Sequence, residues 1–132
     1  FDTGAMYRAV TLFFIKKNVD LASDSQVTES LDTIKLNIDF SSESDMQIFL
    51  DEENVSLKIR NQEVTSKVSA VSAIQDVREM MVKIQRSFTK NGNFVVEGRD
   101  IGTVVFPDAN YKFYLQADYD IRAKEGWQIL KK

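Results

Sequence analysis

The sequence predicts an α/β fold carrying a small inserted antiparallel sheet, on three observations. Apolar residues recur at helical spacing over residues 5–17 and again over 76–90. The period changes to two from Asn37. A short apolar run at residues 94–96, Phe-Val-Val, then leads into a pair of opposite charges bracketed by glycines.

The elements follow in order. Asp2 or Thr3 can cap a helix over residues 5–17. Met6, Ala9, Val10 and Phe13 keep helical spacing, and Leu12, Phe14 and Ile15 widen the apolar face until it runs nearly all round, as in a buried helix. Arg8 is the only charge in its first three turns. Residues 20–24 read as a loop and 25–36 as a second helix, with Val27, Leu31, Ile34 and Leu36 turned inward. Ile38 and Phe40 then alternate with polar residues, and 41–45 turn the chain. Residues 47–50 form the next strand, the acidic stretch 51–54 a turn, and 55–59 a third strand. A helix is expected over 62–73, with Val64, Val68, Val71 and Ser72 on related faces. A stronger helix runs from Asp76 to about Lys90, striped by Val77, Met80, Met81, Ile84 and Phe88 and ended by Asn91-Gly92. The strand at 94–96, a turn at 106–109, an alternating strand at 111–116 and a helix from Asp118 complete the chain. The expected organisation is core helices over 1–36, the antiparallel insert over 37–59, helices over 60–92, and core strands with the start of a further helix over 93–132.

Composition narrows the chemistry. The 132 residues are 43% hydrophobic and 28% charged, enough for one domain with a real core. A net charge of -3 argues against a broad basic face for nucleic acid, while a few local arginines could still hold a small anion. With no Cys there are no disulfides or thiolate metal sites. With no His the commonest general base is missing, so chemistry must run on Asp, Glu, Arg, Lys, Ser, Thr or Tyr. No apolar run approaches the roughly 20 residues of a membrane span, and no signal peptide is visible. The expected compartment is the cytosol. The absence of an initiator Met suggests a processed, trimmed or incomplete chain.

The candidate site is Glu97-Gly98-Arg99-Asp100, followed by Gly102, at the carboxyl end of the 94–96 run. Ligands of open α/β sheets sit at that end. Arg99 offers a planar fork of donors suited to phosphate, and Asp100 offers only acceptors. Together they could hold a phosphate at one end and an amino-bearing ring at the other. A surface ion pair on a turn accounts for the same residues equally well.

Four segments stand out: Asp-Thr-Gly-Ala-Met-Tyr-Arg-Ala at 2–9, Glu63-Val64 to Ser72-Ala73, Val77-Arg78-Glu79, and, most specific, Glu-Gly-Arg-Asp-Ile-Gly-Thr-Val-Val-Phe-Pro-Asp-Ala at 97–109. Together they resemble one family, the bacterial cytidylate (CMP/dCMP) kinases. The resemblance implies a P-loop NTPase-like (nucleoside monophosphate kinase) parallel sheet, with residues 37–59 as the inserted nucleotide-binding subdomain. It implies transfer of the γ-phosphoryl group of ATP to CMP or dCMP, with ATP and Mg²⁺ required by the complete enzyme. Arg8 and Arg99 are similar to the arginines that bind the acceptor phosphate. Arg78 and Asp100 resemble the base readers, with Ser69 assisting. Asp100 would accept from the N4 amino group of cytosine, while Arg78 and Ser69 donate to N3 and O2. Thr3 stands where the family has Ser or Thr near the ribose, and Arg122 resembles a lid arginine. Catalytic roles would fall to Arg99 and Arg122. Other readings stay open: a local ion pair for Arg8 or Arg78, a small helix-contact residue for Ser69, a cap for Thr3. Tyr7 reads as core before contact, and Lys67 has no assigned role.

The sequence also departs from that family. No G-x-x-x-x-G-K-[ST] loop occurs in these residues, and family-like sequence ends near Lys124, short of an arginine-rich lid. A first strand and P-loop are therefore expected to be missing before Phe1. A chain without them would associate or be poorly stable, whereas the complete enzyme would be a monomer. A non-catalytic nucleotide-binding fragment, or a truncated remnant without an ATP site, is the alternative reading.

Overall fold

The computed structural model describes residues 1–40, 46–90 and 92–130, the last six as helix backbone. The predicted turn at 41–45 and the helix terminator Asn91 lie outside the described residues.

The first helix, α1 (Thr3–Lys17), is the hub. Asp2 caps it, its Oδ1 accepting from the Ala5 amide at 3.1 Å, and Asn18 ends it in the left-handed region at φ 52°. Met6, Ala9, Val10, Leu12, Phe13 and Phe14 are all buried, as the nearly continuous apolar face requires. Around α1 pack α3 (Gln62–Ala73), α4 (Gln75–Phe88), the second strand of the small sheet and a 3₁₀ turn at Lys58–Arg60. Helix α2 (Asp24–Thr33) rests on α4 and stops before Ile34, so Leu36 belongs to a strand and not to the helix.

The small sheet is antiparallel, in the order β1 (Leu36–Asp39), β2 (Gln47–Leu50), β3 (Glu53–Asn54). Leu36 pairs with Leu50, and Leu50 with Glu53. The third strand therefore falls before residues 55–59, because the acidic turn is only Asp51-Glu52, both at positive φ (48° and 71°). That is the geometry of a two-residue hairpin, here built without glycine. Val55 and Ile59 are buried, but on the approach to and within the 3₁₀ turn.

Helices α3 and α4 are joined by Ile74 alone, which caps both. Its amide donates to Val71 O, and its carbonyl accepts from Arg78 N. Its backbone is extended (φ -69°, ψ 127°), so the chain turns a corner there.

The two later strands do not form among the described residues. Residues 94–96 and 111–116 lie in segments without regular structure. A strand exists only through a partner, and parallel pairing here is limited to one bridge, Asp2 with Glu97. That bridge is tied by Glu97 N to Phe1 O (3.0 Å) and Thr3 N to Glu97 O (3.3 Å). Phe40 gathers Phe1, Phe88 and Phe94 edge-to-face around it, fastening β1 to the ends of α1 and α4. Helix α5 (Tyr119–Leu130) closes the described chain. No helix among the described residues is long and apolar enough to cross a membrane.

Candidate functional site

Four separate segments meet at one cleft of about 580 Å³. The first turns of α1 bring Thr3, Tyr7 and Arg8; α3 brings Val68, Ser69 and Ser72; the start of α4 brings Arg78; the 97–100 loop brings Arg99 and Asp100. All of the predicted acceptor-site residues therefore share this cleft. Arg122 does not: it lies on α5, its guanidinium 4.6 Å from the centre of the Tyr119 ring.

The loop is held to the helix start. Thr3 Oγ1 donates to Glu97 O at 2.8 Å, so the Thr3 hydroxyl is a pin between two segments and the capping falls to Asp2. Thr3 is buried beneath the loop. Gly98 sits directly above it, where a Cβ would come within 2.3 Å of Thr3 Oγ1. The glycine thus serves close packing of protein on protein.

The charges are unevenly committed. Arg78 Nη2 and Asp100 Oδ2 pair at 3.1 Å across the cleft, with 47% and 31% of their side chains exposed. A pair so exposed contributes at most about 1 kcal/mol, so a ligand offering each group a better partner can open it. Arg78 is thus bonded to the loop, and no ion pair along its own helix is present among the described residues. Arg8 is half-buried and, like Arg99, makes no ion pair among the described residues. Asp2 and Glu97 also line the cleft, but the Asp2 carboxylate caps α1. Two guanidiniums are left for an incoming anion, beside the Glu97 carboxylate and an Arg78–Asp100 pair whose members hold each other.

Tyr7, read from the sequence as core, lines this cleft as well. Its phenol is pushed above its ordinary range, first by burial and then by the nearby Asp100 carboxylate, with Arg78 opposing. Its spacing of four from Thr3 was the available signal, since both fall on one face of α1. Val68 and Ser72 were likewise missed as lining residues; they flank Ser69 on the same side of α3.

The whole chain, residues 1–132, matches the family model described as cytidylate kinase. A cytidylate kinase of Protochlamydia amoebophila (strain UWE25) is 47% identical over 130 residues, covering 98% of this chain and 57% of that protein. One from Rhodococcus opacus (strain B4) is 46% identical over 124 residues, covering 93% of this chain and 54% of that protein. A bifunctional pantoate ligase/cytidylate kinase of Prochlorococcus marinus (strain MIT 9312) is 43% identical over 123 residues, 93% of this chain and 24% of that protein. The chain spans about half the length of the two monofunctional relatives. The match over the full chain and the level of identity lead to one conclusion: this chain belongs to the cytidylate kinase family.

Proposed function

We propose that the chain forms the acceptor-nucleotide half of a kinase that phosphorylates CMP or dCMP at the expense of ATP, within a P-loop NTPase-like fold. The observation that carries this reading is the convergence of Arg8, Arg78, Arg99, Asp100 and Ser69, from four separate segments, on one cleft. Arg8 and Arg99, which make no ion pair among the described residues, take the phosphate through charge-assisted hydrogen bonds. Asp100 accepts from the N4 amino group of cytosine, and Arg78 and Ser69 donate to its N3 and O2. Uracil would turn a carbonyl toward Asp100 with no proton between them, a mismatch of about 1–3 kcal/mol. Thr3 fixes the helix start beside the ribose. Transfer then depends on holding the acceptor oxygen in line and stabilising charge, with no covalent intermediate and no base from His.

The donor side is not built from these residues. They contain no G-x-x-x-x-G-K-[ST] loop, and no cluster of three or more acidic side chains suited to a metal occurs among the described ones. ATP and Mg²⁺ would supply the phosphoryl group and its charge neutralisation when bound. The second reading is a nucleotide-binding module without catalysis.

Calorimetric titration with CMP and UMP tests the site. CMP should bind more tightly than UMP by about 5- to 150-fold, and Asp100→Asn, whose amide can donate to a carbonyl, should shrink that ratio. Equal affinity of the two nucleotides for the unaltered protein would refute the base-reading scheme. ATP-dependent formation of CDP by the polypeptide as its gene encodes it separates the enzyme from the binding module.

A further inference from the structure

We propose that Arg86 is a positioning residue for the base-reading carboxylate, an inference that rests on the reading just given. Residues Ile101–Val105 form one wide π-helical turn. Asp100 O accepts from the amides of Thr103 (3.3 Å), Val104 (2.8 Å) and Val105 (3.3 Å), and Ile101 O accepts from Phe106 N at 2.7 Å. A one-turn helix leaves its last carbonyls without partners of its own. Arg86, on α4, provides them: Nε donates to Val105 O at 2.9 Å and Nη2 to Val104 O at 3.0 Å. The planar fork takes two successive carbonyls at once, which a lysine ammonium cannot reproduce. Its charge also lies at the carbonyl end of the turn, the favourable sense for the helix dipole. Val105 is only 2% exposed, so the turn is anchored in packed protein.

Arg78 lies eight residues earlier on the same helix and holds Asp100 at 3.1 Å. Helix α4 therefore grips the 100–105 segment at both ends. In the proposed complex Arg78 and Asp100 turn toward the base, and the front grip opens. Arg86 is then the side-chain hydrogen bond left between α4 and this segment among the described residues. The carbonyl of Asp100 organises the same turn that Arg86 closes, so the aim of its carboxylate depends on that closure. Arg86 is absent from the cleft lining and borders a different groove, beside Phe106 and Pro107, so its action on base reading is indirect.

The test uses Arg86→Met and Arg86→Lys in the polypeptide as encoded, with CMP and UMP titrated calorimetrically and amide exchange followed at Thr103 to Phe106. Both variants should weaken CMP binding by about tenfold, short of the roughly 100-fold that a 1 Å misplacement of a reacting group can cost. UMP binding, which leans on the phosphate, should move less, so the CMP-to-UMP ratio shrinks. Exchange at the four amides should quicken, and more so with CMP bound than without it. A ratio that stays at the wild-type value, whether both nucleotides weaken together or neither does, overturns the inference. If Arg86→Met does not fold, Arg86→Lys decides by the same ratio, since it keeps the charge and loses only the fork. A wild-type protein that binds neither nucleotide overturns the underlying reading instead, before any variant is made.

Discussion

Gly98 shows how tightly the site is set at the scale of single residues. A Cβ there would lie 2.3 Å from Thr3 Oγ1 and 2.8 Å from Ile101 Cγ1. The Thr3 hydroxyl is not a free chain end, since it is bonded to Glu97 O. Gly98→Ala should therefore cost about 1–3 kcal/mol of stability, as overpacking does, and displace Arg99 and Asp100. Urea denaturation reads the first effect and CMP titration the second; an unchanged unfolding midpoint would mean that Thr3 yields without cost. Read from sequence, this glycine promised a tight turn or a close ligand approach, and the structure fills the space with the protein's own helix start. Arg8, Arg78, Arg99 and Asp100 were legible because they sit in specific runs of sequence. Arg86 was not, because its partners are backbone carbonyls 18 and 19 residues away, which no side-chain pattern announces.

At the scale of elements, Glu53 ties the small sheet to the hub. It opens β3 and accepts from Lys16 of α1 at 2.6 Å and from Lys58 of the 3₁₀ turn. The two lysine hydrogen bonds hold its carboxyl at about 2, well below the ordinary value of 4.5. The folded state therefore keeps this group ionised where the unfolded state protonates it. Its contribution is whole above the unfolded value and is lost as pH falls toward the folded one. Glu53→Gln should lower the melting temperature above about pH 5, with the difference closing toward about pH 2. Added salt should narrow that difference, because the pairs are exposed. A difference that ignores both pH and salt would show that the carboxylate charge is irrelevant. Helices α1, α3 and α4 were legible from their spacing to within two residues, since a helix satisfies its own backbone. The third strand was misplaced because a hairpin turn through Asp51 and Glu52 at positive φ carries no glycine to mark it. The strands expected at 94–96 and 111–116 depend on partners that local pattern does not contain.

At the scale of the whole molecule, the described residues leave an apolar ribbon uncovered: Tyr111 is 83%, Phe113 91% and Leu115 96% exposed. Patches of that kind mark interaction surfaces or aggregation liabilities. The 132-residue chain, purified alone, should bind a hydrophobic dye and sediment as a mixture of species. A monodisperse monomer that leaves the dye dark would contradict this. The single residue between α3 and α4 has a wider consequence. Ser69 stands on one arm and Arg78 on the other, and the angle between the arms passes through the torsions of Ile74. How wide a ring the cleft admits is then adjustable from a corner that is outside the cleft lining and joined to it through the amide of Arg78.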